Sequence, residues 1–101
     1  MDYSSYRWKK KRLHILKLDK YLCQVGLWYG KREAAVVAHH IYPVKDYPEY
    51  AWEDWNLISV SLAGHNKLEN RLTGELTPLG KALMNRTIPG VDWRKKNHST
   101  A

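Results

Sequence analysis

The chain has 101 residues, a formal net charge of +7 and a pI near 9.6. That length fits one small domain with little room for both a large core and a deep pocket, so any site is expected to be an exposed cleft. The lone Cys23 excludes an intramolecular disulfide and a thiol-rich zinc site. No apolar run nears the roughly 20 residues of a membrane span or forms a long leader, which favours a cytoplasmic protein without membrane contact.

In chain order, Ser4 or Ser5 can cap a helix over about residues 5–21, with Trp8, Leu13, Leu16 and Tyr21 among its apolar positions. Its other positions are basic: Arg7, Lys9, Lys10, Lys11, Arg12, Lys17 and Lys20. Either these residues coat a solvated face or they contact phosphates, and the one-sided excess of charge favours phosphates. Gly26 and Gly30 bracket a loop holding Trp28 and Tyr29. AAVVAHHIY, residues 34–42, reads as a strand ended by Pro43. Residues 42–56 hold two prolines and four acidic residues and read as a loop. Leu57 to Val60 is a second strand. Ser61 can cap a helix to about Leu72, ended near Gly74, and Thr77 with Pro78 opens a last helix through about Arg86. Ile88-Pro89-Gly90 breaks the chain, leaving a loose basic tail over 90–101.

The segment AHHIYPVKDYPEYAWEDWNLISVSLAGHNKLENR carries the chemistry. His65 and Glu69 are four apart, which on a helix places them on one face, one turn apart. Leu62, Leu68 and Leu72 lie on or beside that face, so it is expected to pack inward, towards His39 and His40. His39, His65 and Glu69 can then make a three-sided divalent-metal site with positions left for water and a substrate oxygen. His40 has a separate task, because an imidazole titrating near neutral pH can take a proton from an attacking water. Neighbours on a regular strand point to opposite faces, so both histidines serve one site only if the strand bends or the phosphate lies at its edge. Asn56 either fastens the long loop to backbone or touches substrate. Taken singly, each of these residues is more often solvated or structural; their joint order, strand–loop–strand–helix, reverses the balance.

ILKLDKYLCQ, VVAHHIYPV and WNLISVSLAGHNKLENR together resemble the HNH endonucleases, the ββα-metal nucleases, with the likeness running from about Ile15 to Arg71. LTPLGKALMNR is similar to the extension of small phage and prophage members encoded near DNA-packaging genes. The resemblance implies an α+β fold: a ββα-metal (HNH) motif with flanking N- and C-terminal helices, in a single domain over 1–101. Its parts are a basic helix over about 5–21, a ββα core over about 34–73, a C-terminal helix over about 78–86 and the tail.

It also implies a metal-dependent DNA endonuclease with His39 and His65 as ligands, His40 as general base and Asn56 structuring the loop. Where relatives often carry another histidine, this chain has Glu69, a harder anionic donor that tilts preference to Mg²⁺ or Mn²⁺ over Zn²⁺ or Ni²⁺. Many members hold a structural zinc on two Cys-x-x-Cys pairs. Here Cys23 matches the first cysteine, its partner is missing, and Ser61 and Gly64 occupy the second pair. No structural zinc is expected, and Trp28, Tyr29, Trp52 and Trp55 are expected to supply packing instead. Arg7, Lys9, Lys10, Lys11, Arg12, Lys67 and Arg71 would hold DNA through its phosphates, with Arg94, Lys95 and Lys96 of the tail. If the chain is phage-encoded, terminase is an implied partner. The competing readings are a non-catalytic basic DNA-binding module on a nuclease-like fold and an interaction protein with an incidental histidine cluster. The sequence carries no signature of oligomeric state.

Overall fold

The computed structural model describes residues 1–95. Ser5 starts the first helix, α1 (Tyr6–Leu18), by accepting a hydrogen bond on its hydroxyl from the Trp8 amide at 3.1 Å. The helix buries Trp8, Ile15 and Leu16, whereas Leu13 and Tyr21, expected on its apolar side, are exposed. It also ends before the expected Tyr21. Lys20 and Tyr21 take left-handed backbone, φ 57° and 59°, and the Tyr21 amide closes back on the Leu16 carbonyl at 2.8 Å.

Asp19, just past the helix, is buried and committed elsewhere. Its Oδ2 accepts from the Ser59 amide at 2.9 Å. Arg94 grips the same carboxylate, Nε to Oδ1 at 2.6 Å and Nη2 to Oδ2 at 3.1 Å, and donates to the carbonyls of Leu57 and Asp54 at 2.6 and 2.9 Å. The tail expected to be loose is therefore fastened up to this point: Trp93 packs on the core and Arg94 is a clamp, not a free phosphate contact. Lys96 and the rest of 96–101 lie outside the described residues.

A second helix, α2 (Gln24–Trp28), stands where a loop was expected. Its cap is Cys23, whose thiol accepts from the Gly26 amide at 3.3 Å. Cysteine is not among the usual N-caps, so the sequence carries little warning of this helix. Positions 23, 26, 61 and 64 meet here. The Ser61 hydroxyl donates to the Cys23 thiol at 3.4 Å, and a Cβ on Gly64 would stand 2.6 Å from that sulfur. The thiol is a core group, clustered with Val25, Ile41, Ile58, Val60 and Leu68. Of the aromatics assigned to packing, Trp55 is buried and Trp52 packs against the Trp8 cluster. Trp28 and Tyr29 remain 41% and 57% exposed and do not serve that role.

Strands β1 (Val37–His40) and β2 (Leu57–Val60) pair antiparallel, with Val37 opposite Val60, Ala38 opposite Ser59, His39 opposite Ile58 and His40 opposite Leu57. β1 is shorter than the predicted 34–42; Ala34 instead bridges to Leu22. The alternation of the pleat gives the hairpin two apolar faces. Ala38 and Leu57 pack on Trp8 and Ile15 of α1, and Ile58 and Val60 join the core beneath α2 and the later helices.

The connection between the strands is not featureless. It holds 3₁₀ turns at Pro48–Tyr50 and Asp54–Asn56, and Tyr42, Tyr47, Tyr50 and Trp55 cluster, edge to face except for the stacked Tyr47–Tyr50 pair. Ser61 caps α3 (Leu62–Leu68), which completes the ββα unit but stops short of the expected Leu72. Leu62 and Leu72 are 66% and 96% exposed, so of the three leucines assigned to an inward face only Leu68 packs inside. Thr77 caps α4 (Pro78–Arg86), over the expected range. No helix of the described residues is long and apolar enough to cross a membrane. The whole is an α+β fold with α1, α2 and α4 flanking a ββα unit.

Arg94 joins the end of α1, the start of β2 and the C-terminal segment through one buried carboxylate. Arg94→Ala should leave the Asp19 charge buried without its partner and cost about 3 to 5 kcal/mol. Urea denaturation read by far-UV circular dichroism measures this; an unchanged midpoint would show that the clamp is mechanically idle.

Candidate metal centre

His39 sits on the β1 face turned towards α3, with its ring centroid 5.2 Å from that of His65. Glu69 follows one turn after His65, as the four-residue spacing suggested: its amide donates to the His65 carbonyl at 3.0 Å, although it stands just past the last helical residue. It caps α3 in extended backbone (φ −144°, ψ 137°) and bridges to Leu76. From there its carboxylate still arrives between the two imidazoles, Oε1 3.8 Å from His39 Nδ1 and Oε2 3.7 Å from His65 Nε2. One donor atom from each of the three residues falls within a 4.8 Å span.

The donor set fits a divalent cation. The separations exceed hydrogen-bond lengths, as expected of ligands arranged round an ion. Burial, with smaller contributions from His65 and His40, pushes the His39 pKa down to about 3, so its ring keeps a free lone pair at any ordinary pH. Its Nε2 is buried with no hydrogen-bond partner.

His40 faces the other way, as strand alternation requires. Its ring stacks on Trp8 at 5.3 Å with 23° between planes, and Tyr3 meets both rings edge-on. Nε2 lies 3.0 Å from the Ala51 carbonyl, which can only accept. The proton therefore belongs on Nε2, and Nδ1 is left with the lone pair that could take one. Burial lowers the His40 pKa and the bond to Ala51 partly restores it.

Ala51 is held in place by Asn56. That amide is fully buried, accepting from the Tyr42 amide at 2.7 Å and donating to the Tyr42 and Tyr50 carbonyls, each at 3.1 Å. Of the two roles open to Asn56, this geometry matches fastening the loop.

A crystal structure of the HNH endonuclease of the deep-sea thermophilic bacteriophage GVE2, with a manganese ion, is similar to this chain. The two share 38% sequence identity and a TM-score of 0.59, over 63% of this chain and 70% of that one. The chain belongs to the HNH endonuclease family. No family model and no curated protein matches it.

The HNH histidines, on opposite faces of β1, are reconciled at the edge of the strand. A cleft of about 440 Å³ is lined by His39, His40, His65, Glu69, Arg12 and Tyr3. Lys45, from the long loop, also reaches it. Arg71 lines an adjoining depression with His65 and Glu69. The other cations assigned to DNA are distributed differently. Lys11 is engaged by Asp54, which His14 also touches, and Arg7 lies 3.7 Å over the Trp52 ring. Lys9 and Lys10 are exposed, and Lys67 stands over Tyr29, away from the cleft. Tyr3, Lys45 and the Ala51 carbonyl were not singled out from the sequence. Only Lys45 carried any signal, a lone cation in an acidic loop.

Two measurements bear on this HNH site. Asn56→Asp keeps shape but cannot donate to the Tyr42 and Tyr50 carbonyls once ionised, so it should cost about 1 to 3 kcal/mol for each unsatisfied group and lower turnover with it. Stability close to that of the unaltered protein would refute the loop-fastening role. Because the folded-state pKa of His39 lies below its unfolded value, the unfolded chain binds more protons as pH falls from about 6.5 towards 3. The metal-free protein should therefore lose melting temperature through that window, and His39→Gln should flatten the loss. A parallel decline in both proteins would assign it to other groups.

Proposed function

We propose that this HNH endonuclease hydrolyses DNA phosphodiester bonds, with a divalent cation held by His39, His65 and Glu69 and with His40 as general base. The observation that carries this reading is the coincidence, in one cleft, of a convergent three-donor group and an imidazole whose Nε2 is tied to a carbonyl and whose Nδ1 is not. When bound, the cation supplies charge stabilisation to the phosphate and its departing oxygen. His40 Nδ1 takes the proton from the attacking water, and the Ala51 carbonyl stabilises the imidazolium formed. The stack on Trp8 holds the ring in register. Arg12 lines the same cleft and is the cation we assign to the scissile phosphate. Lys45 and Arg71 extend the positive rim along which backbone phosphates can lie.

The hard, anionic Glu69 beside two imidazoles favours Mg²⁺ or Mn²⁺, in keeping with the manganese of the GVE2 structure. We take residues 1–101 as one nuclease domain acting in the cytoplasm. The bacteriophage origin of that relative supports a phage setting; a part in DNA packaging beside terminase rests on the resemblance of the C-terminal LTPLGKALMNR segment.

Incubation of supercoiled plasmid with the protein should give nicked or linear DNA in Mg²⁺ or Mn²⁺ and none in EDTA. His40→Ala should lower the rate about 10²- to 10⁴-fold. Salt-sensitive binding without cleavage by the unaltered protein would instead mean a DNA-binding module. Glu69→Ala should raise the metal concentration needed for half-maximal cleavage; an unchanged metal dependence removes Glu69 from the site.

A further inference from the structure

Trp28 and Tyr29, at the end of α2, are large aromatic residues left at the surface, 41% and 57% exposed. Neither belongs to a core cluster among the described residues. Each has a cation over its ring: the Arg86 guanidinium stands 4.9 Å above Trp28, and Lys67 Nζ stands 5.2 Å above Tyr29. Lys31 and Arg32 follow directly in the chain and are exposed. None of these four cations forms an ion pair among the described residues. The patch is continuous, because α3, which carries Lys67, packs against both α2 and α4.

This surface is not the cleft. Lys67 follows His65 by two positions, which on a helix is about 200° of rotation, so it leaves the opposite side of α3. The patch thus has unneutralised positive charge and two aromatic rings with open surface, on the far side of the catalytic helix from the metal donors. Charge alone would suit any polyanion, duplex DNA or an acidic peptide included. The rings narrow the choice. Bases in a duplex are stacked on each other and offer no free face, whereas unpaired bases can stack on tryptophan and tyrosine while their phosphates meet the cations. We infer that Trp28, Tyr29, Lys67 and Arg86 form a docking surface for single-stranded nucleic acid, with Lys31 and Arg32 at its margin. It goes beyond the cleavage reading and does not depend on it.

The test is fluorescence anisotropy on the full chain in EDTA, where no cutting occurs, with a short labelled oligothymidine and a labelled duplex of equal length. Trp28→Ala with Tyr29→Ala should weaken oligothymidine binding about 10-fold or more while changing duplex binding less than about threefold. The Trp28→Phe with Tyr29→Phe protein should retain oligothymidine binding within about threefold. Circular dichroism melts of both variants establish that they fold; should the alanine pair not fold, Arg86→Gln with Lys31→Gln is read in the same assay and should weaken oligothymidine binding. Unchanged oligothymidine affinity in the folded variants overturns the inference. So does an equal loss for duplex, which would make the surface a general phosphate contact. Competition by a polyglutamate peptide as strong as that by unlabelled oligothymidine also overturns it. Because binding is read without metal, failure here and failure of the plasmid cleavage assay are separate results.

Discussion

A single buried amide organises the catalytic side of this protein. Asn56 closes the chain between the strands on itself by bonding to Tyr42 at one end and Tyr50 near the other. With those three bonds made, the Ala51 carbonyl has a fixed position, and that carbonyl selects the tautomer of His40. A loop with so many backbone groups under a protein surface must satisfy them locally or lose its shape. Here an uncharged side chain that both donates and accepts does so; aspartate could only accept. The aromatic cluster of Tyr42, Tyr47, Tyr50 and Trp55 packs round the same loop, and the Tyr42 hydroxyl donates to the Thr87 carbonyl at 2.7 Å, tying it to the end of α4.

Strand parity then divides the chemistry. His39 and His40 are adjacent, so one belongs to the α3 face of the hairpin and the other to the α1 face. The two environments differ as the roles demand. The His39 side gathers lone pairs and a carboxylate. The His40 side is aromatic, with one nitrogen tied to a carbonyl. Both faces open at the strand edge into one cleft, so under the proposed roles a donor group and a proton acceptor would serve one phosphate without competing for the same space.

Much of the candidate site's grouping was legible because its residues announce themselves by type and spacing: the histidine pair after an apolar run, Asn56 at the head of β2, His65 after a serine cap. Glu69 was legible from its four-residue spacing to His65, and its amide still bonds the His65 carbonyl; what the spacing did not show is that α3 stops at Leu68 and Glu69's own backbone is extended. Ala51 could not be found, since it acts through a carbonyl that every residue possesses. The cations were the least legible. Net charge does not say which lysine has a partner; Lys11 is held by Asp54 and Arg94 by Asp19, contacts 43 and 75 residues apart in sequence. Helix α2 was missed because its cap is a thiol and its length is five residues. Short helices owe their existence to packing more than to local preference.

The same long-range pairs explain how so small a chain keeps a cleft open. A cleft removes core volume, and a domain of this size has little to spare. The junction of Cys23, Gly26, Ser61 and Gly64 brings α2 and α3 together by close packing round a sulfur, with a glycine where any side chain would collide. On the other side, Arg94 binds α1, β2 and the C-terminal segment to one carboxylate. Each junction lies behind a strand face that carries a histidine. Loosening either would remove contacts that set the spacing between the strands and the helices facing His39 and His40. Rigidity of the site is thus bought far from the cleft, by residues that would never touch substrate.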